Sequence, residues 1–469
     1  MGSFRSKCFD YQLFKNMQVW KFGGTSVGKP ERMHAIKNLI TEDGNRKIVV
    51  LSALSGSTNG LLSIAESLKA NNATEATQKI NDLYTHYESF IKELYATPEG
   101  YAKGKTIIDK EFSFIRSLVN IKPFSLKQEK EIVAEGELLS TQMFEAYLQE
   151  EGVQSALLPA LDFMLIDADN EPVLKFTEEK LGEIISQLTD IQVFITQGFI
   201  CRNPRGEVDN LKRGGSDYTA TLIGGAIVAE EVQIWTDIDG MHNNDPRIVK
   251  KTFPIKELSF EEAAELAYFG AKILHPSTIT PAKMKGVPVR LKNTMEPSAY
   301  GTLISTKTIT DREIKAIAAK DNLTAIYIHS TRMLNAYGFL RKVFEVFEKY
   351  KTPVDMITTS EVSVSITIDN DEHLEAIMTE LRQFADLEEV DKDQTIVCIV
   401  GNFSADKEGI AIKVLEAMKN IPIRMICYGA SEHNISLLIH GKYKNEALNA
   451  LNERCFLYED AMKDIFSAQ

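Results

Sequence analysis

The chain has no run of about eighteen or more apolar residues, so nothing in it reads as a membrane-spanning helix. Cysteine is scarce. The five present, Cys8, Cys201, Cys398, Cys427 and Cys455, are odd in number and far apart, and no two stand at metal-ligand spacing. That argues against a disulfide framework and a cysteine-based zinc site, and leaves reduced thiols in a cytoplasmic protein as the expectation. Positive charge is in deficit: 53 Lys and Arg face 66 Asp and Glu, a formal net charge of -13. Long-range attraction to nucleic acid or to an anionic membrane is therefore unfavourable, and neither is expected as a partner. A local cluster of cations and backbone N–H groups can still hold a small anion. Residues 1–16 lack the apolar stretch of a secretory signal. Gly2 and Ser6 fit the short N-myristoylation pattern, which matches by chance often. Met17 stands just before the first convincing strand, so residues 1–16 read as an N-terminal extension.

The rest of the composition is that of a soluble globular chain, with 469 residues, 44% hydrophobic and 25% charged, long enough for about two to four domains. Residues 17–305 alternate strand-like and helix-like stretches. Strands are expected at 17–22, 47–54, 154–160, 190–199, 232–237 and 287–293, several of them continuous apolar runs suited to burial on both faces of a parallel sheet. Residues 60–150 read as a helical elaboration. "SFEEAAELAYFG" opens on a capping box, Ser259 with Glu262, and closes at Gly270. This is an α/β layered pattern. After about residue 310 the pattern changes to an internal repeat. "GFLRKVFEVFEKYKTPVDMITTSE" from Gly338 is echoed by "GIAIKVLEAMKNIPIRMICYGASE" from Gly409, each an amphipathic helix leading to a proline and a strand. Flanking strands are expected at 323–330 and 395–402 ahead of the helices, and at 362–369 and 434–441 after them. The order β-α-β-β is that of a ferredoxin-like unit, present twice.

Four polar turns follow the strands. "KFGGTSVG" puts Lys21 at a strand end before Gly23 and Gly24. Glycines let the backbone approach a ligand, successive N–H groups make an anion-binding nest, and the lysine adds a full charge. The spacing is not that of a Walker A loop, and a plain tight turn is the competing explanation. "LKRGGSDYTA" repeats the device with Arg213, Ser216 and Asp217 at an expected helix start, where an N-cap alone needs no arginine. "SALSGSTN" (52–59) is a glycine-containing turn, and "WTDIDGMHNNDPR" (235–247) is an acidic one that suits a ribose or Mg2+-nucleotide, or is simply turn-forming. Open α/β sheets bind ligands beyond the carboxyl ends of their strands, where all four turns can gather.

"KFGGTSVG", "RGGSDYTA", "WTDIDG", "NDPR" and "FGAKILHP", in this order, resemble the motif set of the aspartate kinases, and the terminal repeat resembles their tandem ACT domains. "GFLRKVFEVF", "VDMITTSEVSVSIT" and "RMICYGAS" are most similar to the single-function, lysine-sensitive type. The resemblance spans roughly residues 17–460. It implies an amino-acid kinase fold, three-layered αβα around a mostly parallel sheet, over 17–308, then ferredoxin-like ACT domains over 309–393 and 394–469 that are free to interleave. Implied with it is ATP-dependent phosphorylation of the L-aspartate side chain to 4-phospho-L-aspartate, the first step toward lysine, threonine and methionine. ATP is a substrate that carries Mg2+, and no protein-held metal is implied. A fused homoserine dehydrogenase is not expected, since the length leaves no room for one and no strand is followed by G-x-G-x-x-G.

The resemblance assigns residues as well. Lys21 stabilises the phosphoryl group in transfer and Asp217 orients it; Arg213 meets the aspartate α-carboxylate, Glu137 its α-ammonium, and Thr58 and Ser216 line the same pocket. Without the resemblance Glu137 reads as a solvated helix carboxylate. Gly23, Gly24, Thr236, Asp237, His242, Arg247, Lys272 and Ile273 take the nucleotide, with His242 standing where many relatives have tyrosine. His275 reads as a packed or capping histidine. L-lysine is the implied inhibitor, held by Met333, Phe339, Leu340, Val354, Asp355, Ser360 and Glu361. Ala336 and Pro353 replace serines common in lysine-sensitive relatives, each the loss of a hydrogen bond of roughly 1 kcal/mol. The ACT pair implies a homodimer, with a homotetramer as the alternative; a repeat that only dimerises and binds no effector is the competing explanation.

Overall fold

The computed structural model describes residues 14–211, 214–270, 274–308, 312–330, 337–403 and 408–457. The chain forms two compact units, the first from residues 1–241 and 274–308, the second from 242–273 and 309–469. The principal strands of each unit are numbered β1 to β13, and helices of eight or more residues α1 to α12.

In the first unit the strands are β1 (Gln18–Phe22), β2 (Lys47–Leu51), β3 (Ser155–Leu158), β4 (Val193–Gln197), β5 (Val232–Thr236), β6 (Val289–Asn293) and β7 (Thr302–Ser305), in the spatial order β3-β4-β2-β1-β5-β6-β7. All neighbours run parallel except β6 and β7. β2 and β4 are buried at every position, which is why their sequences are continuous apolar runs and not alternating ones. The helices are α1 (Pro30–Thr41), α2 (Ser57–Lys69), α3 (Ala73–Leu94), α4 (Pro98–Ser117), α5 (Leu126–Glu150), α6 (Leu174–Ile185) and α7 (Gly215–Ile227). The expected helical elaboration is α2 to α5, whose apolar stripes pack with Trp20, Phe22, Val49 and Trp235 in one core. α5 starts at a capping box of Ser125 and Gln128.

The second unit has β8 (Ile314–His329), β9 (Met356–Thr359), β10 (Ser363–Ile368), β11 (Asp386–Gly401), β12 (Ile423–Tyr428) and β13 (Asn434–His440). They form one six-stranded antiparallel sheet, β9-β10-β8-β11-β13-β12. α9 (Phe339–Lys349) and α10 (Leu374–Leu381) cover one half, and α11 (Ile410–Ala417) and α12 (Lys444–Asn452) the other, each pair over its own core. β8 and β11 are longer than their expected ranges, 323–330 and 395–402, and each runs through both halves. The expected boundary between residues 393 and 394 falls inside β11.

Residues 242–273 join this unit through specific bonds. Asn243 and Asn244 donate to Asn452 Oδ1 and the Leu448 carbonyl, both at 3.1 Å. Val249 enters the α11–α12 core. α8 (Phe260–Tyr268) opens on the expected Ser259–Glu262 capping box. Glu262 also pairs at 2.8 Å with Lys315, and both side chains are almost wholly buried. Glu265 accepts from Ser431 Oγ and Asn434 Nδ2 at 3.0 and 2.6 Å.

Candidate active site

Parallel register brings the polar turns of the first unit to one edge. Phe22 pairs with Leu51 and with Trp235, and Leu51 pairs with Gln197, so β1, β2, β4 and β5 end at the same level. The turns after them, with the start of α7, gather beyond the carboxyl ends of the strands, the usual ligand position in an open parallel sheet.

Missing side chains make the gathering possible. A Cβ on Gly23 would lie 3.2 Å from Lys21 Nζ, and one on Gly24 3.1 Å from the Ala53 carbonyl. A Cβ on Gly198, just past β4, would fall 2.3 Å from Ser216 Oγ, so glycine there lets the first turn of α7 reach the sheet. Gly214 and Gly215 have φ of +68° and +49°, the left-handed region that turns the chain into α7.

Into this space project the groups that carry charge. Lys21 Nζ and Asp217 Oδ1 form a 2.7 Å ion pair, with side chains 12% and 19% exposed. The pair is largely shielded but keeps some exposure, and Asp217 holds the ammonium beside the glycine turn. Ser52 Oγ donates to Ser216 Oγ at 2.8 Å, and Ser140 Oγ donates to the Ser52 carbonyl at 2.9 Å. These bonds tie the β2 turn to α7 on one side and to α5 on the other. Glu137, on α5, is buried; its Oε1 accepts from the Ala53 N–H at 3.3 Å. Its Oε2 has no hydrogen-bond partner among the described residues. Burial pushes the Glu137 carboxyl up to about 8, with the Ala53 N–H acting in the opposite direction. The bare reading of Glu137 as a solvated helix carboxylate is therefore wrong. Thr58 is half-buried in the first turn of α2, next to Gly56, whose φ is +83°.

Thr236 and Asp237 close β5 at the same edge, Thr236 half-buried and Asp237 exposed. His242 and Arg247 belong to the other unit. His242 Nδ1 lies 3.0 Å from Thr252 Oγ1, and Arg247 makes a bidentate contact with Asp245 at 2.9 and 2.7 Å. Their grouping with Thr236 and Asp237 is not part of either unit's internal geometry. Arg213, Lys272, Ile273 and Met333 lie outside the described residues. His275 accepts from the Ser277 N–H at 3.3 Å, the cap its sequence position suggests. Among the described residues no three His, Cys, Asp or Glu side chains are grouped to hold a metal ion, and no helix is long and apolar enough to cross a membrane.

In the second unit Phe339 is buried in the α9–α10 core, Leu340 is exposed on the same helix, and Val354 is half-buried. Ser360 Oγ accepts from the Ser363 N–H at 3.1 Å, and Glu361 is exposed. Asp355 is already engaged. Its Oδ1 accepts from Lys320 Nζ at 2.6 Å and from the Tyr268 hydroxyl at 2.8 Å. Burial raises its carboxyl above the ordinary value, opposed by those two donors. Sequence reasoning missed Lys320 and Tyr268 as well as Ser52 and Ser140. Of these only Ser52 carried a signal, as the first polar residue after a buried strand.

The Amino acid kinase family model matches residues 16–293, and the ACT domain model matches 326–379 and 397–455. Lysine-sensitive aspartokinase 3 of Escherichia coli is 34% identical over 455 residues, covering 93% of this chain and 99% of that one. Chloroplastic aspartokinase 1 of Arabidopsis thaliana is 35% identical over 460 residues, covering 93% and 80%. Among solved structures, E. coli aspartokinase III with aspartate and ADP superposes with a TM-score of 0.78 at 33% identity, over 94% of this chain and 100% of that one. The same enzyme with lysine and aspartate gives 0.77 at 34%, with the same coverage. With a glycine-framed lysine at the edge of a parallel sheet and a doubled ferredoxin-like half, this chain belongs to the aspartokinases of the amino acid kinase family.

Proposed function

We propose that this protein is an aspartate kinase acting on L-aspartate and Mg2+-bound ATP. A side-chain carboxylate oxygen of aspartate forms a bond to the γ-phosphorus, the bond from that phosphorus to the β,γ-bridging oxygen breaks, and 4-phospho-L-aspartate and ADP result. The acceptor is a carboxylate, ionised at neutral pH, so no general base is needed. The difficulty is bringing two anions together, and the protein's task is positioning and charge compensation. The observation that carries the reading is the Lys21–Asp217 ion pair held against the Gly23 turn at the sheet edge. In this reading Lys21 and the N–H groups around Gly23 and Gly24 receive the phosphoryl oxygens. The free Oε2 of Glu137 takes the α-ammonium of aspartate, Arg213 its α-carboxylate, and Ser216 and Thr58 line its pocket. Thr236, Asp237, His242, Arg247, Lys272 and Ile273 take the nucleotide. Hydroxylamine traps an acyl phosphate as the hydroxamate, so the expected result is hydroxamate that requires both ATP and aspartate. A folded protein giving none at saturating substrates removes the reading.

The named lysine sensitivity of the E. coli relative supports feedback by lysine; in this reading the protein is a homodimer and the site lies around Asp355 and Glu361. Asp355→Ala is expected to raise the lysine concentration for half-inhibition about tenfold or more, the range of a lost charge-assisted contact. Equal inhibition of the variant and the parent protein would remove Asp355 from the effector site.

A further inference from the structure

Among the described residues Asp355 sits in a cluster that is one donor short. Lys320 Nζ lies 2.6 Å from Asp355 Oδ1 and 2.9 Å from Asp369 Oδ2, so one ammonium faces two carboxylates. The same ammonium lies 4.7 Å from the centroid of the Tyr268 ring, whose hydroxyl donates to Asp355 Oδ1. The Asp355 side chain is 1% exposed, and its other oxygen, Oδ2, is buried with no hydrogen-bond partner among the described residues. A buried carboxylate oxygen with no donor is costly to maintain and marks a place for one. A primary ammonium from a ligand would satisfy it and balance the second carboxylate.

Tyr268 is the last residue of α8. α8 is anchored farther back by Glu262–Lys315 and by Glu265 with Ser431 and Asn434, so its Tyr268 end is the part that Asp355 holds. Two residues on is Gly270, with φ +135°, and at Leu274 the chain returns to the first unit. The short segment between carries Lys272 and Ile273.

We propose that Tyr268 is a positioning residue of lysine inhibition, through which an ammonium arriving at Asp355 acts on the segment leading back to the kinase unit. This rests on the effector reading given above. The Asp355 carboxylate cannot turn toward a ligand ammonium at Oδ2 without changing the Tyr268 hydrogen bond at Oδ1. The end of α8 therefore differs between the empty and the loaded cluster, and a differential contact of this kind is what couples two sites.

The test is Tyr268→Phe, which keeps the ring beneath Lys320 and removes only the hydroxyl. Lysine binding is measured by calorimetry, and inhibition is measured against each protein's own uninhibited rate. Lysine should still bind to the variant within about threefold of the parent, because Lys320 still holds Asp355. At saturating lysine the fraction of activity surviving should rise about fivefold or more, the scale of an ordinary coupling term. Equal residual activity in both proteins overturns the proposal, and so does loss of binding in the variant, which would make the hydroxyl a ligand contact and not a link. A parent protein that neither binds lysine nor is inhibited by it fails differently: the effector reading then falls, and this inference with it.

Discussion

Lys21→Ala is expected to lower kcat by about 10³-fold, roughly 4 kcal/mol of transition-state stabilisation, with nucleotide affinity within about threefold of the parent. The asymmetry follows from where charge changes during transfer. In the proposed reading ATP is held in the ground state through several contacts, so one lysine among them contributes little there. In the transition state the phosphoryl oxygens approach an incoming carboxylate, and the Lys21 ammonium is the cation fixed at that point. It is held by a 2.7 Å ion pair with Asp217 and has only 12% of its side chain exposed, so it is aimed before the substrates arrive and little of its field is lost to water. Asp217→Asn should have a smaller effect in the same direction, about 10- to 100-fold in kcat, because the lysine stays but loses its anchor. Hydroxamate formation under saturating substrates reads both, and calorimetry with ADP reads the binding control. If Lys21→Ala instead raised the ATP KM a thousandfold at unchanged kcat, Lys21 would be a nucleotide anchor and the electrostatic account of transfer would be wrong.

The loops at the sheet edge were legible because they are built from residues with few other uses. Paired glycines beside a lysine just past an apolar run mark the end of β1, and the parallel register places Phe22, Leu51, Gln197 and Trp235 at one level. The Ser259–Glu262 capping box was equally visible, because its chemistry is local. What stayed hidden depends on distant pairing. The expected strands start at 323 and 395, and the expected domain boundary lies between 393 and 394. In the structure Asn322 and Asp393 take φ of +60° and +57°, a register shift lies between Lys320 and Leu323, and both strands continue through. A β-bulge reads locally as a turn, and only the partner strand tells them apart. Lys320 falls in that misjudged stretch, so its pairing with Asp355 had no sequence signal. Glu137 went the other way: composition predicts an exposed glutamate, and burial on α5 against the β2 turn reverses that.

That burial leads to the second large effect. Glu137→Gln is expected to raise the aspartate KM about 100-fold, close to 3 kcal/mol, the scale for truncating one partner of a buried charge pair. kcat should move little, because the α-ammonium is held equally before and during transfer, and uniform binding appears in KM alone. A separate pH signature distinguishes this from general damage to the pocket. The free carboxyl titrates at about 8, raised by burial, so near neutrality most of the ligand-free protein carries Glu137 in its neutral form. The ammonium of aspartate pairs with the ionised form. Lowering the pH through about 8 therefore weakens binding, and the aspartate KM should rise about fivefold between roughly pH 8 and pH 7 in the parent protein. Glutamine does not titrate, so in the variant that slope disappears while the KM stays high throughout. A variant that kept the slope would place the titrating group elsewhere, and one whose KM stayed within about threefold of the parent would take the α-ammonium away from Glu137 altogether.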